Sequence, residues 1–392
     1  MRIALVTDNF YPEIGGIQES IMLNARTLGE LGHRVAIFAP SASEADFRVS
    51  HLPVKEIDLG PNVCVERIFS FSVPSNTQQS RLVPPTLVSL RRMRAFKPDV
   101  IHTQGFFGLG LDVLWAKKIL GVPFVGTNHW AIGEFNMYSF IDPERFARWS
   151  TKAVTWYYNH CDFMSAPSQS VITEMVKFGL RIPHEVVSNP IDTVVFRPPQ
   201  PGMKETLKQK FKFSRATMVY AGRFALEKYI DVLIRALAIV AKDVPEAMLA
   251  LAGHGSDRPR LEALARELSV ADKVRFLGTL SKPDLAEAFQ AADVFTIAST
   301  SETQCMALLQ AMNCGLPSVV VNWRAFPEYV TPERGFLARV HDPVDFAAKL
   351  KTVFEDDALR ARLGQSAEPF AKNFSAASVA HEWERIYSMY RR

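Results

Sequence analysis

The chain has 392 residues, more than one hydrophobic core usually serves, so two domains of roughly 150 to 200 residues each are expected. Apolar residues make up 48% and charged residues 22%, a globular balance that excludes a disordered or fibrous chain. The formal charge of +4 is compatible with phosphorylated ligands or an anionic surface and makes no case for nucleic acid.

Cys64, Cys161, Cys305 and Cys314 form no C-x-x-C pair, so neither a zinc site nor a disulfide framework is expected. No apolar run approaches the ~18 residues that span a bilayer. Met1 leads directly into Arg2-Ile3-Ala4-Leu5-Val6-Thr7 with no charged leader. The reading is a cytoplasmic protein, with peripheral contact at the inner face of a membrane left open.

In chain order, Ile3 to Thr7 is an apolar run followed by Asp8-Asn9, a Gly15-Gly16 loop and a helical pattern through Ile21, Leu28 and Leu31. Gly32-His33 closes that helix and Val35 to Phe38 is the next strand, a βαβ beginning. Val100 to His102 and Phe124 to Thr127, with a helical stretch from Leu109 to Leu120 between them, extend a parallel sheet whose polar exits are where ligands gather.

The rhythm then restarts. Thr217 to Ala221, Met248 to Ala252, Val274 to Leu277, Val294 to Ile297 and Ser318 to Val321 read as strands. Helical patterns lie between them at Ile230 to Ala241, Arg260 to Leu268, Lys282 to Ala291 and Met306 to Cys314. The expected architecture is α/β: two Rossmann-like, doubly wound parallel-sheet domains, residues 1–186 and 187–374, facing across a cleft. The stretch 375–392 carries Val379, Trp383, Ile386 and Tyr387 at helical spacing and is expected to pack back on the first domain. Pro198 to Gly202 reads as a surface loop.

Two clusters carry chemistry. Ala221-Gly222-Arg223 through Glu227-Lys228 stands where a strand ends and a helix begins, so Arg223 and Lys228 can converge on a diphosphate beside a helix amino terminus. Ser301-Glu302-Thr303-Gln304-Cys305-Met306 follows the run ending at Ile297 and precedes a helix, which is expected to present the amides of residues 303–306. Glu302 sits at the mouth and Gln310 about two turns into that helix, a pair suited to sugar and ribose hydroxyls. A bland alternative stands beside each: solvated loop cations for the first, and for Glu302 a carboxylate stabilised by a helix dipole.

The chain resembles family 4 retaining glycosyltransferases of the GT-B fold, which include sucrose-phosphate synthases, phosphatidylinositol mannosyltransferases and diacylglycerol glucosyltransferases. The residues that carry the resemblance begin with Phe10-Tyr11-Pro12, Gly15-Gly16-Ile17, His102 and Thr127-Asn128-His129. They continue through Asn189-Pro190-Ile191-Asp192 with Phe196, Gly222-Arg223, Glu227-Lys228, Gly253 to Gly255, Phe276-Leu277-Gly278, the Glu302 segment and Cys314-Gly315-Leu316-Pro317. The resemblance implies catalytic roles for His129, Glu302, Arg223 and Lys228. It implies donor contacts at Gly15, Gly16, Gly253, Gly255, Phe276, Leu277, Thr303, Gln304, Cys305, Met306 and Gln310, and acceptor contacts at Tyr11, Gln18, His102 and Trp130. His102 also reads as a structural histidine. Three positions depart from the family pattern: Gln310 replaces the second of two glutamates, and Tyr229 and Cys305 stand where glycine is usual.

What the resemblance implies is hexose transfer from a UDP- or GDP-sugar to a hydroxyl acceptor, a membrane lipid or lipid-linked glycan, by front-face substitution. No Asp-x-Asp pair occurs, so no built-in metal and no obligatory cofactor are expected, with stimulation by a divalent ion left open. Arg81, Arg91, Arg92, Arg94 and Lys97 interleave with Leu82, Val83, Leu87, Val88, Leu90 and Met93 in a basic amphipathic pattern suited to an anionic lipid surface. Phe135, Phe140, Phe146, Trp149, Trp156, Tyr157 and Tyr158 add an aromatic segment that reads equally well as core. Competing classes are a catalytically weakened nucleotide-sugar-binding protein, which Gln310 favours, a dinucleotide oxidoreductase, which lacks its G-x-G-x-x-G turn, and a phosphorylase, which lacks a recognisable pyridoxal lysine.

Overall fold

The computed structural model describes residues 1–50, 52–73, 80–84, 88–130 and 142–391. The chain divides into two compact units, Met1–Pro190 with Ala376–Arg392, and Ile191–Ser375.

The first unit is built on a parallel sheet of β1 (Arg2–Val6), β2 (Arg34–Pro40), β3 (Val63–Ile68), β6 (Val100–Thr103), β7 (Phe124–Thr127), β8 (Phe163–Ala166) and β9 (His184–Val186), in the order β3-β2-β1-β6-β7-β8-β9. A short antiparallel hairpin, β4 (Phe71–Ser72) with β5 (Arg81–Leu82), lies outside it. β1 and β6 to β8 are buried almost throughout, which is why they read as continuous apolar runs rather than alternating ones. Pairing starts from β1 and runs outward both ways, so the strand order reverses between β1 and β6. In open α/β sheets that reversal opens a crevice at the carboxyl ends of the strands.

The carboxy-terminal helix, Ala376–Tyr390, buries Val379, Trp383, Ile386 and Tyr387 in the same core as Ile3, Leu5, Ile21 and Leu28. Its apolar residues recur at three- and four-residue steps, one face of a helix, and that face meets the first helix, Gly16–Glu30.

The second unit repeats the plan with β10 (Ala216–Ala221), β11 (Ala247–Ala252), β12 (Val274–Gly278), β13 (Val294–Ile297), β14 (Ser318–Val321) and β15 (Gly335–Ala338), ordered β12-β11-β10-β13-β14-β15 and all parallel. Here the order reverses between β10 and β13. The helix Ile230–Val240 covers this sheet with seven buried residues at helical spacing. The 198–202 stretch is a loop, and Gly202 at φ +81° starts the helix Met203–Phe211.

Candidate active site

The loops leaving β10 and β13, the two strands that flank the reversal in the second unit, hold the two predicted clusters. After β10 the chain turns through Gly222 and a single 3₁₀ turn, Leu226–Lys228, into the helix Ile230–Val240. The Tyr220 hydroxyl donates to the Arg223 carbonyl at 3.0 Å and ties down the turn. Arg223 is half-exposed and its Nη2 donates to Glu227 Oε1 at 2.9 Å. The other Glu227 carboxylate oxygen is buried without a hydrogen-bond partner among the described residues.

Lys228 turns toward the β13 loop. Its Nζ lies 2.6 Å from Glu302 Oε1 and 3.2 Å from Ser301 Oγ, with both members of the ion pair largely buried. Burial alone would raise the Glu302 pKa, but the Lys228 ammonium, the Ser299 hydroxyl and the Arg223 guanidinium outweigh it and hold the carboxyl below its usual range. Glu302 is therefore ionised at neutral pH. Burial, and after it the Glu302 charge, pushes the Tyr220 phenol and the Cys305 thiol far up, so both stay protonated.

The structure revises the helix after Glu302. It runs Met306–Asn313 with Cys305 as its amino-terminal cap, so the helix-start amides begin only at the end of the 303–306 segment, and Gln310 sits just over one turn into the helix rather than two. Thr303 and Gln304 belong to the preceding turn, and Gln304 is buried against the Tyr329 hydroxyl. Gln310 is buried on the inner face of the short helix. Cys305 adopts φ +71° and Tyr229 φ +48°, the left-handed region that favours glycine. Both departures from glycine thus fall on strained backbone, and the Tyr229 ring packs at a tilt against that of His341, ring centroids 4.2 Å apart.

Gly253 and Gly255 follow β11. A Cβ on Gly253 would lie 2.0 Å from the Gly222 carbonyl oxygen, and one on Gly255 2.1 Å from that of Phe224. These glycines let the β10 and β11 exit loops pack backbone to backbone, and the Phe224 amide donates to the His254 carbonyl across that contact. Phe276 and Leu277, near the end of β12, are half-buried, with the Arg258 guanidinium 5.1 Å from the centre of the Phe276 ring.

In the first unit, Gly15 and Gly16 are exposed at the start of the helix Gly16–Glu30, Gln18 is buried within its first turn, and Tyr11 is half-buried and packs edge-on against Phe47. His129 lies beyond the end of β7, with Trp130 half-buried beside it. His129 Nε2 is 2.6 Å from Gln104 Oε1. Burial lowers the pKa of His129 to about 4, and burial followed by His129 lowers that of His102 to about 3, so both rings are neutral at pH 7.

His102 is enclosed by Thr127, Tyr387 and Gln104, and its ring packs on Trp383 at 4.3 Å. It is 1% exposed, the position that its reading as a structural histidine describes. Gln104 was invisible to sequence reasoning, although His102 and Gln104 share one side of the chain as it leaves β6, two residues apart. Ser301 was read as part of its cluster without a role of its own, and Ser299 carried no sequence signal. Asp8 carried none either; burial pushes its carboxyl up to about 6, and it accepts from the Phe107 and Leu109 amides, capping the helix Gly108–Leu120.

The basic amphipathic stretch divides. Arg81 turns inward to Asp46 at 2.6 Å, while Arg91, Arg92, Arg94 and Lys97 are exposed, Arg92 pairing with Glu66 at 3.0 Å. Val83 and Met93 are buried, Leu90 is half-buried and Leu82 and Val88 are exposed. The aromatic segment divides too: Tyr157 and Tyr158 are core, Phe146 is half-buried, and Trp149 and Trp156 are exposed at 68% and 57%. Leu87, Phe135 and Phe140 lie outside the described residues. No described helix is long and apolar enough to cross a membrane.

Comparison with known proteins agrees with this geometry. The model "Glycosyltransferase Family 4" matches residues 14–195 and "Glycosyl transferases group 1" matches residues 203–369, one for each unit's main span. The α-monoglucosyldiacylglycerol synthase of Streptococcus pneumoniae is 26% identical over 89% of this chain and 77% of its own length. The GDP-mannose-dependent α-mannosyltransferase of Mycobacterium tuberculosis is 28% identical over 85% of this chain and 82% of its own. Anabaena HepE, solved with UDP and glucose, matches in structure with a TM-score of 0.78 at 20% identity, covering 99% of this chain and 100% of that one. The fold and both matched spans define a glycosyltransferase of the GT-B class. The chain is similar to family 4 of these enzymes over most of its length.

Proposed function

We propose that this chain is a retaining hexosyltransferase that moves a hexose from a UDP- or GDP-sugar to a hydroxyl of a membrane lipid or lipid-linked glycan. The observation that carries the reading is the Lys228–Glu302 pair at 2.6 Å, set where the β10 and β13 exits meet at the reversal of the second sheet. A sugar diphosphate needs a cation at its leaving oxygens and a carboxylate at its sugar hydroxyls, and this pair offers one of each. The relatives' names support the two donor classes and a glyceride acceptor: one is GDP-mannose-dependent, one makes a glucosyldiacylglycerol, and HepE was solved with UDP and glucose.

In this reading the bond from the anomeric carbon to the diphosphate breaks while the acceptor oxygen bonds to the same face of that carbon. The acceptor proton passes to the departing phosphate oxygen. Lys228 and Arg223 stabilise the negative charge that develops on the diphosphate, the type of electrostatic term that usually contributes most to a rate. Glu302 accepts from donor-sugar hydroxyls and Gln310 contacts the ribose. A screen of UDP- and GDP-hexoses with diacylglycerol and lipid-linked glycan acceptors, read by NMR of the product's anomeric centre, tests the assignment. An α-linked product from an α-linked donor is expected; inversion would contradict it.

We also propose that the first unit docks on an anionic membrane. Arg91, Arg94 and Lys97 are exposed, and Trp149, Lys152 and Trp156 crown the outer face of the helix Pro143–Tyr158. Co-sedimentation with phosphatidylglycerol vesicles and not with phosphatidylcholine vesicles is the expected result; equal binding to both would contradict the electrostatic part.

A further inference from the structure

The helix Gly108–Leu120, between β6 and β7, is apolar on both of its sides. Leu109, Val113 and Ala116 are buried in the core beneath it. Leu111, Trp115 and Ile119, about one turn apart along the other side, are exposed at 41%, 58% and 53%. A helix apolar all round is ordinarily buried, so this exposed side marks a surface that something covers.

The neighbours of the stripe indicate what covers it. The helix Val88–Phe96 packs beside it, and the helix Pro143–Tyr158 is joined to it where the Tyr157 hydroxyl donates to the Gly110 carbonyl at 2.8 Å. Met93, Val113 and Tyr157, one from each helix, share one core, so the three helices form a single layer on one face of the sheet. The exposed cations of that layer are Arg91, Arg94, Lys118, Arg145, Arg148 and Lys152, besides Arg92, which pairs with Glu66. The one carboxylate among the layer's described side chains, Asp112, is buried and accepts from the Ser89 hydroxyl at 2.6 Å. The chain as a whole is nearly balanced, 45 Lys and Arg against 41 Asp and Glu, so the one-sided charge is a local feature. A second copy of the chain docked on this layer would set cation against cation. An anionic bilayer meets the cations with phosphates and the stripe with acyl chains.

We infer that Leu111, Trp115 and Ile119 are the part of the first unit that enters the bilayer, seated where headgroups give way to acyl chains in a membrane rich in anionic lipid. The inference rests on the proposed membrane docking and adds to its cations an apolar insertion on a different helix. Trp115 suits that depth, with a ring that is apolar over most of its area and one N–H for the headgroup layer. The Lys118 ammonium lies 5.7 Å from the centre of the Trp115 ring, so its stem follows the stripe while its charge meets a phosphate. Attraction between exposed charges is screened by salt, whereas burial of apolar area is not.

Co-sedimentation of the full chain with phosphatidylglycerol vesicles, at low salt and at about 0.5 M NaCl, therefore separates the two contributions. Wild type should stay partly bound at high salt. Leu111→Ser combined with Trp115→Ser should still bind at low salt, keep its melting temperature, and lose roughly tenfold or more of its high-salt binding. Vesicles with brominated acyl chains should quench the wild-type tryptophan emission, and Trp115→Phe, which keeps an apolar ring, should bind as wild type and lose part of that quenching. Complete release of wild type at high salt, a double variant that binds there as wild type does, or quenching unchanged in Trp115→Phe overturns the insertion and leaves docking through the cations standing. A wild-type chain that binds no phosphatidylglycerol vesicle at low salt overturns both. Dimers in sedimentation velocity that Trp115→Ser converts to monomers would assign the stripe to a second copy and also overturn the insertion.

Discussion

Tyr229 and Cys305 occupy backbone that favours glycine, at φ +48° and +71°, and each borders the Lys228–Glu302 pair in sequence. A left-handed conformation costs a residue with a Cβ roughly 1 to 2 kcal/mol. Tyr229 offsets part of that by packing its ring against His341, and Cys305 by burying its thiol. At both sites a glycine variant should therefore be more stable than the alanine variant by about 1 kcal/mol in urea unfolding, the reverse of the order in a helix interior. Equal stabilities would mean that the turns relax on substitution.

Gln310 is the third residue where chemistry and family pattern diverge. An amide accepts from a ribose hydroxyl without the charge that strengthens such a bond, a difference of roughly 1 kcal/mol. Gln310→Glu should then tighten nucleotide-sugar binding about fivefold by calorimetry, and weaker binding would show that the amide's own donor is the group in use.

At the scale of elements, the strands in the middle of each sheet were legible because burial on both faces makes them unbroken apolar runs, as in Val219-Tyr220-Ala221 and Val294 to Ile297. Others were not. β3, Val-Cys-Val-Glu-Arg-Ile, carries charges on an edge strand, β9 is three residues long, and β8, Phe-Met-Ser-Ala, and β15, Gly-Phe-Leu-Ala, hold no β-branched residue, so none offers a clear strand signal. Arg223, Lys228 and Glu302 could be read because a strand, a short loop and a helix follow one another in sequence. Gln104 and Ser301 could not, since their partners His129 and Lys228 come from other strand exits.

The carboxy-terminal helix was legible from spacing alone, and it completes the core of the first unit after the chain has built the second. Trp383 is 3% exposed and packs on His102 and Tyr387. Trp383→Ala should cost about 3 to 5 kcal/mol in unfolding of that unit, the range for a buried large aromatic. A loss below 1 kcal/mol would show that the helix is not integral to the core.

Across the whole molecule, one parallel-sheet plan appears twice with different polar equipment at its strand exits. The first unit offers neutral histidines and amides, His102, His129 and Gln104, with few charges; the second offers Arg223, Lys228, Glu227 and Glu302. That division fits a bisubstrate transfer in which the second unit holds the charged donor.

The central claim is that Lys228 and Arg223 hold the departing diphosphate. Release of nucleoside diphosphate from UDP- and GDP-hexoses in the presence of acceptor, compared between the wild-type chain and Lys228→Ala and Arg223→Ala, tests it most directly. The account expects each variant to lose on the order of 10² to 10³ in kcat while its melting temperature stays close to wild type. A folded Lys228→Ala protein that turns over at a near-normal rate would contradict it.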